Sequence, residues 1–178
     1  MSMNVEVEVT GRMVERKSTA EVDWGAVFTE QLPRIYNYFR YRLGHETDVQ
    51  DLTSRTFEKA WRARHRYRPE LASVGTWLLS IAHNVGVDHL RLLRNHAALD
   101  AAATAATENG TESQQEQISD QARLQTLLAI LPLRERELLA LKYGAGATNR
   151  EIASVTGLSE SNVGTILSRT VRALREQW

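Results

Sequence analysis

Hydrogen-bonding side chains cluster near the end of the chain in a pattern that suits the reading of double-stranded DNA. The segment TNREIASVTGLSESNVGTILSR, residues 148–169, predicts two short helices around a tight turn. Ala153 is small where the helices must approach, Gly157 permits a left-handed turn, and Ser159 can cap the second helix. The exposed face of that helix then presents groups that can bond to base edges: Ser161, Asn162, Thr165, Ser168 and Arg169. An ordinary helical hairpin with a glycine turn is the alternative interpretation.

A second group of residues could suggest catalysis or metal binding. His83, Asp88 and His89 lie close together in the sequence. The two histidines are six positions apart and point to different faces of a helix, whereas paired ligands favour one helical turn. The sequence also has no recognisable phosphate-binding glycine loop or nucleophile elbow. We therefore expect no enzyme activity, no metal and no cofactor.

Three amphipathic helices are predicted upstream of this motif. VFTEQLPRIYNYFRYRLG ends at Gly44, a plausible helix stop, and DVQDLTSRTFEKAWRARHR follows with an apolar stripe opposite a charged face. After the loop RPELASVG, residues 68–75, a third helix begins with TWLLSIAHNVG. Its outer stripe includes Asn84, Asp88 and Arg91. Helices with such stripes can pack into a compact domain.

Composition and charge divide the chain into four segments. The formal net charge of zero is the sum of −2 over residues 1–23, +4 over 24–96, −5 over 97–122 and +3 over 123–178. The chain has 178 residues and no cysteine, which excludes disulfides and thiolate zinc sites and is compatible with a reducing cytoplasm. No stretch approaches the length of a membrane span. We expect a cytoplasmic protein without membrane insertion.

The two segments with a net negative charge are predicted to lie outside the folded domains. Residues 97–122 have few large apolar side chains and are expected to form a flexible acidic linker, and residues 1–23 a disordered N-terminal extension. The alternative is that the linker alanines extend a neighbouring helix. The predicted fold is all-α, with two small helical domains at residues 24–96 and 123–178. A flexible linker would let their relative position vary.

Three motifs in this order resemble a known family. DVQDLTSRTFEKAW, then TWLLSIAHNVGVDHLR, then LPLRERELLALKYGAGATNREIASVTGLSESNVGTILSRTVRALR are similar to group IV sigma factors, the extracytoplasmic-function (ECF) type of the sigma-70 family. These bacterial initiation subunits consist of region 2 and region 4. The resemblance covers about residues 24–96 and 123–176.

The resemblance implies roles for particular residues. The second helix would bind core RNA polymerase through Asp48, Asp51, Leu52, Arg55, Phe57, Glu58 and Trp61, with Phe57 and Trp61 expected to pack mainly into the core. The third helix and the loop before it would bind the −10 element as single-stranded DNA through Ser73, Trp77, Asn84, Asp88 and Arg91. The helix-turn-helix would bind the double-stranded −35 element through Ser161, Asn162, Thr165, Ser168, Arg169 and Arg172.

Two further expectations follow from the resemblance. Leu167 stands where many family members carry Lys or Arg, so it either touches a thymine methyl or turns inward. An anti-sigma factor that covers the polymerase-binding surfaces is a usual partner of such proteins.

A stand-alone helix-turn-helix regulator of the LuxR type is the alternative function. It explains residues 123–178 equally well but leaves residues 48–94 without a role.

Overall fold

The N-terminal part of the chain forms three helices. The computed structural model describes residues 22–44, 46–103 and 120–177, and every regular element in these ranges is helical. Helix α1 spans Trp24–Leu43, α2 spans Glu46–Ala63 and is followed by a single 3₁₀ turn at Arg64–Arg66, and α3 spans Val74–Ala103. We call α1 to α3 the N-terminal bundle.

The C-terminal part forms four helices and a π-helical turn. Helix α4 spans Asp120–Ala129, α5 spans Leu133–Leu139, α6 spans Asn149–Thr156 and α7 spans Glu160–Gln177. The π turn, Ala140–Gly144, continues α5. We call α4 to α7 the C-terminal bundle. Within the described ranges no helix combines the length and apolar character needed to cross a bilayer.

Local sequence signals account for the helix ends. The Asp23 carboxylate accepts the N–H groups of Gly25 and Ala26 at the start of α1, and Gly44 ends that helix with a φ of 81°. Thr148 and Glu151 form a reciprocal capping box at the start of α6. Gly157 follows α6 with a φ of 74°, so the left-handed turn predicted for the helix-turn-helix is present.

The third helix is longer than the sequence predicted. It continues to Ala103, so residues 97–103 are helical and the alternative of an extended helix holds for them. Alanine is the best helix former, and this stretch contains no glycine or proline to end the helix. The rest of the predicted linker, residues 104–119, and nearly all of the N-terminal extension, residues 1–21, lie outside the described residues.

Each bundle contributes its own apolar residues to the core. In the N-terminal bundle Ile35, Tyr38 and Phe39 of α1 pack with side chains of α2 and α3, including Leu52 and Leu79, and all five are fully buried. The core of the C-terminal bundle contains Leu138, Leu141, Ile152, Val163 and Ile166. Both amphipathic patterns are thus satisfied.

The two bundles pack directly against each other. Helix α1 lies on the π turn and α3 lies on α6. At Gly144 a Cβ atom would come within 2.8 Å of the backbone oxygen of Asn37, so only glycine lets the two backbones approach this closely. The packed arrangement differs from the freely varying arrangement expected from a flexible linker.

Replacing Leu52 tests the packing of the N-terminal bundle. Leu52→Ala should lower the free energy of unfolding by about 2–5 kcal/mol, because the side chain is fully buried and its removal leaves a cavity. Ser54→Ala, at an exposed position of the same helix, is the control and should change it by less than about 0.5 kcal/mol. Urea denaturation followed by circular dichroism measures both. Equal effects of the two variants would contradict this packing.

Candidate nucleic-acid and protein interfaces

The predicted DNA-reading face of α7 is exposed. Ser161, Asn162, Thr165, Ser168, Arg169 and Arg172 are all open to solvent. Five of them, all but Asn162, line a shallow groove with Gly164. Ser159 caps the helix, since its hydroxyl accepts the N–H of Asn162 at 3.2 Å. The helix therefore presents a continuous hydrogen-bonding surface at its N-terminal half, as a recognition helix requires.

Two residues of α7 are engaged within the C-terminal bundle. Leu167 is 6% exposed and packs in the core, so of the two alternatives for this position the inward one is found. Arg169 forms an ion pair with Glu135 at 3.0 Å, although its own side chain remains mostly exposed. Because the pair is open to solvent it is weak, and DNA can compete for the arginine.

A basic group beside this face was not predicted. Lys142, on the π turn, lines a groove together with Arg172 and Arg175 of α7. Lys142 donates a hydrogen bond to the side chain of Asn149 at 3.1 Å, which holds it toward α6. The sequence contains the lysine but no signal that a π turn would place it next to α7.

A polar stripe runs along α3. Asn84, Asp88 and Arg91 are exposed and follow one another at steps of four and three residues, so they lie on one face of the helix. Asp88 is 3.7 Å from the ammonium group of Lys59 on α2. Ser73, at the start of this helix, accepts the N–H of Thr76 through its hydroxyl at 3.2 Å. Ser73 is therefore a helix cap as well as an exposed loop residue.

Three aromatic rings meet beside that loop. Trp77 is half-buried, with its ring centre 5.8 Å from that of Trp24 and 5.3 Å from that of Tyr67. The Tyr67 hydroxyl donates to the carbonyl of Ala72 at 3.1 Å and closes the loop. Trp24 and Tyr67 were not singled out from the sequence, because they lie far apart in it and meet only through the fold.

The residues of α2 that are predicted to bind polymerase differ in their exposure to solvent. Asp51 and Glu58 are exposed, while Asp48 and Arg55 are partly so. Leu52 is fully buried, so its side chain cannot contact a partner while the bundle is folded, and the prediction of a contact there is corrected. Its position on the inner stripe, between α1 and α3, is the reason.

Trp61 also differs from expectation. It was expected to pack mainly in the core, but its side chain is 53% exposed and carries the guanidinium of Arg64 over its ring at 4.0 Å. Phe57 is half-buried and its ring lies 4.7 Å from that of Phe28, which is itself exposed. Trp61 lies in the last turn of α2 and lines a cleft together with Trp24 and Phe28 of α1, which leave its ring open to solvent.

These aromatic residues surround an apolar cleft between α1 and α2. The cleft has a volume of about 390 Å³ and includes Trp24, Phe28, Phe57, Trp61 and Leu78 among its lining residues. Glu58 adds a carboxylate to the lining. Aromatic rings around an apolar cleft are typical of protein-binding surfaces.

A buried carboxylate joins the two bundles. Glu137 of α5 accepts hydrogen bonds from the Tyr38 hydroxyl at 2.6 Å and contacts His83 Nδ1 at 2.8 Å, both at Oε1. Its Oε2 is 2.5 Å from Nη2 of Arg42, and Arg42 also donates to the Tyr38 hydroxyl. Burial raises the pKa of Tyr38 well above its ordinary value, and the nearby Glu137 charge adds to that, so the hydroxyl stays a donor. We call these four residues the Glu137 cluster.

A second link lies one turn along α1. The Arg34 Nε donates to the carbonyl of Ala145 at 2.7 Å, and its Nη2 is 3.4 Å from Glu151. Glu151 also accepts the hydroxyl of Thr76 from α3 at 3.0 Å. Burial raises the pKa of Glu151, but hydrogen bonds from Thr148 and Thr76 and the charge of Arg34 outweigh it, so the pKa is lower than its ordinary value.

The two histidines have separate structural surroundings. His83 belongs to the Glu137 cluster, and His89 Nε2 is 3.8 Å from Asp48 of α2. In the part of the chain that the structure describes, no three His, Asp or Glu side chains come together in a way that could hold a metal ion.

Comparisons with known protein families match the N-terminal and the C-terminal bundle separately. The family description "Sigma-70 region 2" matches residues 27–96 and "Sigma-70, region 4" matches residues 121–174. The chain is similar to the ECF RNA polymerase sigma factor BldN of Streptomyces coelicolor, with 29% identity over 167 residues covering 91% of this chain and 63% of that protein. It is 33% identical over 139 residues to the ECF sigma factor SigC of Mycobacterium tuberculosis, covering 78% of this chain and 72% of that protein.

Two solved structures resemble this fold. One is the sigma factor RpoE in complex with the anti-sigma factor NepR from Bartonella quintana, with a TM-score of 0.70, 19% identity, and coverage of 86% of this chain and 95% of that chain. The other is CnrH in complex with the cytosolic domain of CnrY, with a TM-score of 0.60, 25% identity, and coverage of 86% and 88%.

Glu151→Gln tests the second link through its pH dependence. A folded-state pKa below the ordinary value of 4.5 means that the ionised carboxylate adds stability above that pH, and that this stability is lost as the pH falls through the folded pKa. The difference in free energy of unfolding between wild type and variant should be constant from neutral pH to about pH 5 and shrink below it. Urea denaturation at a series of pH values measures this. A difference that shrinks already between neutral pH and pH 5 would contradict a lowered pKa of Glu151.

Proposed function

This chain belongs to the ECF group of the sigma-70 family, and we propose how its two bundles divide the work of a transcription initiation factor. The factor binds core RNA polymerase, directs it to promoters with −10 and −35 elements and aids strand opening. The observation that supports this most is the presence of two separate polar helix faces, on α3 and on α7, in bundles that match region 2 and region 4. This function gives the N-terminal bundle a role, whereas a stand-alone regulator would leave it without one.

The C-terminal bundle binds the −35 element in the major groove. Ser161, Thr165 and Ser168 are exposed and carry short hydroxyl groups that can reach base edges, while Asn162 offers an amide. Arg172, with Lys142 and Arg175 beside it, contacts phosphate and contributes affinity without sequence choice. Leu167 contributes to packing and makes no contact with a base.

The N-terminal bundle binds the −10 element as a single strand. Asn84 supplies an amide to the edge of an unstacked base, and Arg91 lies at the same face to meet the backbone. The loop that ends at Ser73 borders the base, and the ring of Trp77, supported by Trp24 and Tyr67, forms the apolar wall behind it.

The α1–α2 cleft is the main contact with core RNA polymerase. Trp61, Phe57 and Phe28 offer apolar surface, and the carboxylates of Asp51 and Glu58 lie on the same helix to steer association. Asp48 and Arg55 extend this face along the helix. The site of action is the cytoplasm, where the polymerase is.

An anti-sigma factor is the proposed regulatory partner. The solved structures of RpoE and CnrH that resemble this fold are both complexes, with NepR and with CnrY. An apolar cleft lined by aromatic rings and the Glu58 carboxylate is a surface that such a partner would cover.

Run-off transcription tests the promoter role. Core RNA polymerase with this protein should initiate from a promoter library at fragments that share two spaced elements, and core polymerase alone should not. Asn84→Ala should reduce initiation roughly tenfold, because a base loses its hydrogen-bonding partner. Gln177→Ala, which removes an exposed side-chain amide at the end of α7 outside the residues proposed to bind DNA, is the control and should leave initiation unchanged. Promoter binding without polymerase, with no added transcripts, would instead support the stand-alone regulator.

Trp61→Ala tests the polymerase contact. The variant should bind core polymerase roughly 30-fold more weakly, since truncation of an exposed aromatic anchor removes about 2 kcal/mol or more. Its free energy of unfolding should change little, because the ring contributes little to the core. Leu92→Ala is a matched control, since Leu92 is 51% exposed on α3. Core affinity is measured without DNA by fluorescence anisotropy, and equal affinities for the two variants would contradict the assignment.

A further inference from the structure

The face of the N-terminal bundle that lies under the C-terminal bundle is basic. It carries Arg34 and Arg42 of α1, His83 of α3, and the hydroxyl of Tyr38. Among the described residues, every ion pair of these three basic side chains leads across the junction, to Glu137 or Glu151. The face therefore takes its neutralising charge from the other bundle. We call it the covered basic face.

The N-terminal bundle itself holds Arg42 toward the junction. Arg42 donates to the Tyr38 hydroxyl and to the carbonyl oxygen of His83, at 3.4 Å for the latter. Gly86 of α3 makes room for it, because a Cβ atom there would collide with the Arg42 guanidinium. These contacts do not involve the C-terminal bundle, so the guanidinium stays in place when that bundle moves away.

Promoter binding requires such a movement. Elements centred near −10 and −35 are roughly 25 base pairs apart, which is about 85 Å at 3.4 Å per base pair. A compact chain of this length has a radius of gyration of about 16 Å. The packed form cannot contact both elements, so the bundles must separate when both are bound, and Glu137 and Glu151 then leave the covered basic face.

We propose that the covered basic face then binds the backbone phosphates of promoter DNA beside the −10 element, and that Glu137 and Glu151 occupy the phosphate positions in the packed form. This rests on the promoter role proposed above. Arginine binds carboxylate and phosphate oxygens through the same paired donors, so one replaces the other without rearrangement of the site.

The location of the face supports DNA as the ligand. His83 directly precedes Asn84, and a cavity of about 690 Å³ between the bundles is lined by Arg42 and His83 together with Arg91 and Arg94. The face is thus continuous with the polar stripe of α3. A strand bound along that stripe carries its phosphates toward Arg42.

A double-variant experiment separates a phosphate contact from a packing role. Glu137→Gln removes the carboxylate, and the full-length variant should show a larger distance between fluorescent labels on the two bundles. Glu135→Gln, a carboxylate of the same helix that pairs with Arg169, is the control for that distance. In the Glu137→Gln background, Arg42→Gln is then compared with Arg42→Lys and with Arg40→Gln. Arg40 lies on the same helix, and its guanidinium lies over the ring of Tyr41.

The measured quantity is the salt dependence of open-complex stability with core polymerase and a promoter selected by run-off transcription. Loss of one phosphate contact should reduce the slope of log K against log salt by about 0.7–0.9 for Arg42→Gln. Arg42→Lys should restore most of the slope, and Arg40→Gln should leave it unchanged.

Two results would overturn the proposal. If the double variant Glu137→Gln/Arg42→Gln had the same slope as Glu137→Gln alone, Arg42 would only hold the bundles together. A loss of core polymerase affinity in the absence of DNA would assign the face to an acidic protein surface instead. Failure of the wild-type protein to support any initiation would be a failure of the proposed promoter role, and it is recognised before these variants are compared.

Discussion

The Glu137 carboxylate is the interaction on which the arrangement of the two bundles depends. It is 8% exposed, and it accepts from Tyr38, His83 and Arg42, which all belong to the other bundle. A buried ion pair adds little net stability, but removal of one partner leaves the other charge without compensation. The cluster therefore specifies one packed geometry. It does so with groups that water, phosphate or another carboxylate can also satisfy.

The apolar residues of both bundles form one continuous buried cluster, to which each bundle contributes its own part. Ile35, Phe39 and Leu52 are buried among α1 to α3, while Ile152 and Val163 are buried among the C-terminal helices. The apolar cleft lies between α1 and α2, and helix α7 presents its polar face to solvent. Both surfaces are accessible in the packed form, so packing does not hide them. Packing limits the distance between the two bundles, and binding to a promoter with two spaced elements requires a larger distance.

Much of this could be predicted from the sequence where the determinants are local. Gly44, Gly157 and Ser159 set helix ends through nearest neighbours, and each acts as expected. The Thr148–Glu151 capping box is equally local, although it was not predicted from the sequence. Helical periodicity gives the direction of a side chain, and it places both Leu52 and Trp61 on the inner stripe of α2. It does not give the degree of burial, and Leu52 is fully buried whereas Trp61 is 53% exposed. The junction was beyond prediction. Glu137 and its partners are separated by 54 to 99 residues, and nothing in a linear pattern indicates that they meet.

The π turn at Ala140–Gly144 sets the register of everything that follows it. In this turn the N–H of Ala145 bonds to the carbonyl of Ala140, five residues back, at 2.9 Å, so the helix contains one residue more than an α-helical turn would hold. Each residue of an α-helix advances the chain by about 100° of rotation. A one-residue deletion there would convert the turn to α-helix and rotate Gly144 away from Asn37. The recognition helix would then point in a different direction relative to α3, although the deletion would leave the residues of both helices unchanged.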